Sequence, residues 1–386
     1  MLARRELDRA ASAWPTQPAY VWSQAVVAQL ASDTAALYRA LDSYVSLGLG
    51  RDLHNDARFA ALAAHPRFAG LVARHDSSRA PLVRSRVVAR LDDSTFWPEG
   101  VDYDSRTGRY YVASVRHRTI AEVSNGKVLR ELWTRDRPGI GAVMGVRVDA
   151  ARGLLWATLA GVPQMQGYTP SDANIAALVR VRIVDGTIER RWDLPPAPLG
   201  HMLGDLAVDS LGDVFVTDSY DPVLYRLPGR GDSLERIVSP YFRSLQGMAP
   251  TPDGSIVYLA DYSHGLLRVG VATHDVSLLE APQGTTTLGC DGIVLDHGAI
   301  IAVQNGVSPA RVMRFTLDAS GTRITRAEVL DQNTAIADEP TIGTIANGEF
   351  VYVANGQWEK YDEHGRRRPE RALAAPVLLG VPLRQR

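Results

Sequence analysis

The chain has 386 residues, of which 45% are hydrophobic and 22% charged, and its formal net charge is −1. This composition is typical of a globular protein and excludes a disordered or collagen-like chain. No apolar run approaches the roughly 18 residues that span a bilayer, and no excess of positive charge attracts nucleic acid, so we expect neither a membrane nor a nucleic-acid partner. The single cysteine, Cys290, excludes an intramolecular disulfide framework and a cysteine-rich zinc site.

The first residues predict no export signal. Residues 1–8 are charged at four positions and lack the continuous apolar segment of a signal peptide. We therefore expect a soluble protein that is cytoplasmic as the sequence stands, and exported or periplasmic if the natural N-terminus is longer.

Residues 1–80 predict a small α-helical unit. Apolar residues recur at spacings of three and four from Ala25 to Val45, Asp33 stands at an N-cap position, and Gly48 follows as a stop. The segment 33–73 resembles the end of a tetratricopeptide-like helical repeat, but a repeat array needs about three units to bury its own face. We therefore expect a helical cap docked on the rest of the chain, which also offers a candidate surface for protein contacts.

Residues 84–386 contain an internal repeat of short β-strands and Gly or Asp turns. Six copies begin at successive intervals of 45, 60, 42, 45 and 49 residues, and this period matches the roughly 40–50 residues of a four-stranded propeller blade. The fourth strand of the last copy is missing at the C-terminus, whereas a spare strand, Arg86 to Leu91, precedes the first copy. We predict an all-β, six-bladed β-propeller whose ring is closed by this N-terminal strand. The copies begin at Glu99, Met144, Gly204, Gln246, Asp291 and Pro340.

Polar residues recur where the first strand of each copy starts and where the second strand ends. These two positions meet on one face of a blade, because the two strands form a hairpin. Carboxylate and amide oxygens that converge there are ligands that Ca²⁺, Mg²⁺ or Mn²⁺ prefers. The candidates at strand starts are Glu99, Asp205, Gln246 and Asp291, and those at or beyond second-strand ends are Asp261, His264, Asn305 and Gln357, with His201 ahead of the third copy.

Each candidate also has a structural interpretation. Glu99 could cap a strand, and Gln246 could line the channel through hydrogen bonds alone. Asp261 leaves a strand at a position typical of Asx turns. His201 and His264 are candidate proton-transfer groups, although a lone histidine in a loop is often only solvated. The long insertion at residues 161–176 is a candidate lid or rim over the channel.

Three motifs, Trp97-Pro-Glu-Gly, Thr251-Pro-Asp-Gly and Cys290-Asp-Gly-Ile, resemble those of the gluconolactonase, regucalcin and luciferin-regenerating-enzyme family. The resemblance implies lactone hydrolysis at a divalent cation (Ca²⁺, Mg²⁺, Mn²⁺ or Zn²⁺) in the central channel. By this resemblance Glu99 and Asp291 match the family's acidic ligands, and Asp291 would also be the general base. Gln246 stands where one asparagine ligand is expected, and Gly204 stands where the other is, with Asp205 beside it.

Two classes of function therefore stay open. The first is a metal-dependent hydrolase that opens a small lactone or ester, with Asp291 and His264 as catalytic groups and His201, Asp261, Asn305 and Gln357 around the substrate. The second is a non-catalytic propeller that binds a protein or small ligand, since the fold does not decide the function. A strictosidine-synthase-like condensing activity is a third class, but no residue of the sequence supports it. The sequence contains no P-loop, no His-Glu-x-x-His and no Cys-x-x-Cys motif, and the glycines at residues 139–145 miss the dinucleotide-binding spacing.

Overall fold

The computed structural model describes residues 2–14 and 17–384, so Met1, Pro15, Thr16, Gln385 and Arg386 lie outside it. Four helices precede a ring of β-sheets. They are α1 (Leu2–Ala13), α2 (Pro18–Leu30), α3 (Thr34–Ser46) and α4 (Pro66–Ser78), with a 3₁₀ turn at Ala57–Leu62 between the last two.

Six antiparallel sheets of four strands follow, which confirms the predicted propeller. In the first five blades the chain runs outward from the channel strand by strand. Blade one holds β2 (Pro98–Asp104), β3 (Arg109–Ser114), β4 (Thr119–Ser124) and β5 (Lys127–Glu131), and blade two holds β6 (Ala142–Asp149), β7 (Leu154–Ala160), β8 (Ala176–Arg182) and β9 (Ile188–Asp193). Blade three holds β10 (Leu203–Val208), β11 (Val214–Asp218), β12 (Val223–Leu227) and β13 (Glu235–Ile237), and blade four holds β14 (Leu245–Pro250), β15 (Ile256–Asp261), β16 (Gly265–Gly270) and β17 (Val276–Leu278). Blade five holds β18 (Cys290–Asp296), β19 (Ala299–Gln304), β20 (Arg311–Leu317) and β21 (Ile324–Gln332), and blade six holds β22 (Gly343–Ala346), β23 (Glu349–Val353), β24 (Val377–Pro382) and β1 (Arg86–Arg90).

The ring closes through β1, as the sequence predicts. This strand is the outermost of blade six and pairs antiparallel with β24. Buried Asp331 fixes the entry to β1, because its carboxylate accepts hydrogen bonds from the backbone of Arg84 and Ser85 and from the Tyr352 hydroxyl. A separate hydrophobic core fills the space between each pair of neighbouring blades, including blades six and one. The closed ring therefore has six apolar interfaces.

The helical cap docks on the upper face, by which we mean the face where the innermost strands begin. It contacts blade five: Nη1 of Arg311 donates to the Leu47 carbonyl at 3.1 Å, and Nε2 of Gln332 donates to the Ser78 carbonyl at 3.0 Å. Arg311 is buried, and its Nε donates to the amide oxygen of Gln304 at 2.6 Å rather than to a carboxylate. Burial lowers its pKa to about 10. The carbonyl at the C-terminal end of α3 stabilises this charge, since that end carries the negative pole of the helix dipole.

A membrane-crossing helix is not found among residues 2–14 and 17–384, because none of the helices there combines sufficient length with sufficient apolar character.

The anchoring of β1 is testable through Asp331. Replacing it with alanine leaves Arg84, Ser85 and Tyr352 without their acceptor, and we expect a loss of about 2–4 kcal/mol in the free energy of unfolding. Urea denaturation measures this loss. Asp92→Ala, at an exposed acid in the loop after β1, is the control and should change the value by less than about 0.5 kcal/mol. An equal, small effect of both substitutions would contradict this role of Asp331.

Candidate functional site

A cavity of about 400 Å³ opens at the upper end of the central channel, and all six blades contribute to it. Its lining combines acids, amides, hydroxyls and aromatic rings. The lining residues are Glu99, Met144, Met202, Gly204, Asp205, Ser219, Tyr220, Ser244, Gln246, Tyr262, Asp291, Asn305, Glu339, Thr341, Ile342 and Trp358. The structure thus brings together five of the predicted site residues: Glu99, Asp205, Gln246, Asp291 and Asn305.

A repeated glycine explains why these residues converge. In five blades the pairing of the innermost strand shifts register near its start, and in four of them a residue that lines the cavity precedes a glycine at that point. A Cβ on Gly100 would lie 2.6 Å from the Met144 carbonyl of the next blade, and one on Gly247 would lie 2.6 Å from the Asp291 carbonyl. Only glycine permits this approach of neighbouring backbones, which sets the small radius of the cavity.

Blade three departs from this rule. Register places Asp205 where the other blades have glycine, since Leu203 pairs with Asp218 just as Leu245 pairs with Asp261. The Asp205 carboxylate accepts from Arg147 at 3.0 Å and from the backbone N–H of Leu206 at 2.7 Å, so both of its oxygens are engaged. Asp205 borders the cavity as half of a buried ion pair, which disfavours the ligand role predicted for it.

Glu99 and Asp291 form the acidic centre of the cavity. Oε2 of Glu99 accepts from the Trp358 indole at 2.7 Å, and Oδ2 of Asp291 accepts from the Asn305 amide at 2.7 Å. Burial raises the pKa of Glu99 well above its usual range, and the negative charge of Asp291 raises it further. Burial likewise raises the pKa of Asp291. Like charges in a low-dielectric site disfavour ionisation unless a cation joins them.

Amide groups surround this acidic centre. Nδ2 of Asn305 also donates to the Pro340 carbonyl at 2.7 Å, so its orientation is fixed, and its Oδ1 is buried without a hydrogen-bond partner among the described residues. Gln246 donates weakly to Ser244 at 3.4 Å. These oxygens and the two carboxylates make a donor set suited in its chemistry to a hard divalent cation. Across residues 2–14 and 17–384, however, no three His, Cys, Asp or Glu side chains form a metal-binding group by themselves.

The structure does not bring the other four candidates to the cavity. Nδ1 of His201 lies 2.5 Å from Asp218 and its Nε2 lies 2.8 Å from the Pro195 carbonyl, so it ties a loop to blade three. Asp261 is fully buried and accepts from backbone N–H groups, among them those of Ser244 and His264, as expected for a turn.

The remaining two are held by backbone carbonyls. His264 faces the Tyr241 carbonyl at 2.7 Å and packs against the Trp14 ring. Gln357 is buried and donates to the Ser94 carbonyl at 3.1 Å. The positions of the four side chains, those of His201, Asp261, His264 and Gln357, depend on local backbone geometry, which a sequence pattern does not reveal.

Two aromatic lining residues, Tyr262 and Trp358, were not singled out from the sequence, and Glu339, beside the predicted start of the sixth copy at Pro340, was given no role there. Trp358 lies in the long connection between β23 and β24. The length of this connection is visible in the repeat pattern and could have marked it as a place for site residues. Its ring meets Trp97 edge to face at 5.0 Å, and Trp97 stacks on Tyr361 at 4.6 Å. The insertion at residues 161–176 packs against this aromatic cluster without lining the cavity, so it braces the wall of the cavity where a lid was expected.

Glu339 begins blade six at the cavity edge. Its carboxylate accepts only from the backbone N–H of Glu359 among the described residues, at 3.2 and 3.4 Å. Burial and the charge of Glu359 raise the pKa of Glu339 to about 7. The cavity thus holds a third acid with no cationic partner.

No protein-family profile matches the sequence, and no curated protein sequence is similar to it. Similarity appears among solved structures. A luciferin-regenerating enzyme has a TM-score of 0.53 at 14% identity, covering 78% of this chain and 95% of that one. An aldose sugar dehydrogenase from Streptomyces coelicolor, in its PQQ-bound form, has a TM-score of 0.50 at 14% identity, covering 78% and 100%. A gluconolactonase from Xanthomonas campestris has a TM-score of 0.49 at 16% identity, covering 79% and 97%.

The two structures with a TM-score of 0.50 or above show the propeller fold, and the luciferin-regenerating enzyme among them agrees with the predicted resemblance. Their names refer to different chemistries, so the fold leaves the reaction open. The fold and the cavity define a six-bladed propeller with an acidic central site.

The raised pKa of Asp291 predicts how stability depends on pH when a chelator is present. The folded protein keeps a proton that the unfolded chain has released, so stability should fall as the pH rises from about 4, the pKa of an unfolded aspartate, to about 7, the raised pKa of Asp291. Asp291→Asn removes the ionisation and should raise stability at pH 7.5 by about 1–3 kcal/mol while leaving it little changed at pH 4. Thermal unfolding at both pH values measures this. Asp136→Asn, at an exposed acid, is the control, and equal shifts for both variants would contradict the prediction.

Proposed function

We propose that the chain is a hydrolase that opens a small lactone or related ester in the central cavity, with a divalent metal held by Glu99 and Asp291 together with amide oxygens of Gln246 and Asn305. One observation carries the proposal: two buried carboxylates from different blades face one cavity beside an amide oxygen, Oδ1 of Asn305, that lacks a hydrogen-bond partner in the described part of the chain. Such a donor set requires a positive charge. When bound, a divalent cation would polarise the carbonyl of the substrate and acidify water.

The residues of the chain supply the remaining parts. Asp291, oriented by Asn305, is placed to take a proton from the attacking water. The water oxygen bonds to the carbonyl carbon, the ring C–O bond breaks, and the proton passes from Asp291 to the alkoxide that leaves. The cavity of about 400 Å³ suits a small cyclic ester. Trp358, which donates to Glu99, covers one side and limits the access of bulk water.

A non-catalytic propeller that binds a small ligand is the second candidate. It is favoured by blade three, where Gly204 has no side chain to offer and Asp205 is committed to Arg147. In that case the same cavity would hold a ligand without turning it over. The helical cap is proposed, on the same footing, as a surface for a protein partner.

The hydrolase proposal is tested by Glu99→Gln and Asp291→Asn, which keep the size of each side chain. We expect each to lower hydrolysis across a panel of lactones and aryl esters by at least about 100-fold, because the general base or the metal is lost. Elemental analysis of the purified variants should show less bound metal.

His264→Gln is the control, since His264 lies outside the cavity lining, and its activity should stay within about twofold of the natural protein. Unchanged metal content and unchanged hydrolysis in both site variants would overturn the proposal. Tight binding of a ligand without turnover, lost in the same variants, would favour the second candidate.

A further inference from the structure

The cavity holds more carboxyl groups than one divalent metal can pair with. Among the described residues, four acids line it, whereas no lysine, arginine or histidine does. Arg147 balances Asp205, and a divalent cation would balance Glu99 and Asp291. Glu339 is then left with neither a cationic partner nor a place in the metal site. A carboxylate kept at the edge of a small cavity attracts a positively charged group.

The neighbouring acceptors are already assigned to the metal and do not engage Glu339. Glu99 is only 8% exposed, and among the described residues only its Oε2 receives a hydrogen bond, from the Trp358 indole. Oδ1 of Asn305 is buried and has no hydrogen-bond partner there. With a divalent cation on these atoms, Glu339 is the carboxylate that remains for a ligand with N–H donors.

The walls of the cavity suit a cation as well. Three aromatic rings line it, and two of them, Tyr220 and Tyr262, stand exposed at 51% and 36%. Trp358 completes the set, and Met144 and Met202 supply polarisable sulfur. Aromatic faces attract ammonium groups, and they also pack on the carbon skeleton that carries them.

We propose that the substrate carries an ammonium group and that Glu339 is the residue that selects it. The ligand class is a small cationic lactone or ester. This inference rests on the proposed function for the reaction, whereas the preference for a cation is a property of the cavity and can be measured without turnover.

Glu339 also has a structural role that an experiment must separate from selection. Its carboxylate holds the 3₁₀ turn Trp358–Lys360 by accepting from the Glu359 N–H. Glu339→Gln keeps an acceptor oxygen for this bond and removes the charge. Glu363→Gln is the matched control, because Glu363 is an exposed acid of the same connection and does not line the cavity.

The first measurement is binding by calorimetry in a buffer that contains Ca²⁺. Benzylamine, protonated at neutral pH, is compared with benzyl alcohol, which has nearly the same shape and no charge. We expect the amine to bind at least about tenfold more tightly, as a charge-assisted contact provides. Glu339→Gln should reduce this ratio to within about threefold, and Glu363→Gln should preserve it. Equal binding of the two probes, or an unchanged ratio in Glu339→Gln, would overturn the proposal.

The second measurement is hydrolysis of α-amino-γ-butyrolactone at pH 7 against γ-butyrolactone. A higher kcat/KM for the amino lactone would support selection by charge if this preference is lost in Glu339→Gln. Cleavage of both lactones at equal rates would leave the hydrolase proposal standing and overturn this one. Cleavage of neither, with the benzylamine preference intact, would overturn the hydrolase and support the cation site.

Discussion

The close approach of the innermost strands governs the chemistry of this molecule. Glycines such as Gly100, Gly145, Gly247 and Gly292 let each inner strand touch the backbone of the next blade. Because the ring is tight there, the side chains that precede these glycines share one small cavity. The acids among them are removed from water while they stay close to one another. Burial is therefore the largest cause of the raised pKa of both Glu99 and Asp291.

This crowding is unfavourable for folding and useful for binding. A carboxylate that is buried beside another carboxylate stores electrostatic free energy that a cation releases on binding. The protein neutralises such charges elsewhere: Arg109 and Arg130 both pair with buried Glu122, and Arg226 pairs with Asp213. The absence of a basic side chain from the lining of the cavity therefore distinguishes this acidic cluster from the structural ones in the described chain.

The architecture was predictable because it repeats. Six copies of one pattern identify the strands even where a single copy would be ambiguous. The spare strand ahead of the first copy matches the strand missing from the last. The number of blades and the closure of the ring therefore follow from the sequence. Glu99, Gln246 and Asp291 were predictable for the same reason, since the hairpin of each blade brings their positions to one face.

The side chains at the ends of second strands were harder to predict. Asp261 is the last residue of its strand, whereas Asn305 stands one position beyond its strand, because Asp261 pairs with Leu245 as Gln304 pairs with Cys290. Asp261 turns back to the backbone, and Asn305 faces the cavity, which Tyr262 also lines from the equivalent position of blade four. A difference of one position in register therefore separates a turn residue from a lining residue, and the sequence pattern does not fix strand ends that closely. Trp358 was missed because it lies in a connection of blade six that has no equivalent in the repeat. Glu339 stands at the start of the sixth copy but was given no role, because its contact, the N–H of Glu359, belongs to that connection.

Closure through β1 also has a consequence for synthesis. The strand that completes blade six leaves the ribosome before any blade does, and its partner β24 follows only after five blades and two strands of the sixth. The helical cap therefore waits for blade five and β1 waits for β24, and until then the growing ring presents an open sheet edge. The cavity, to which all six blades contribute, is complete only once blade six has formed.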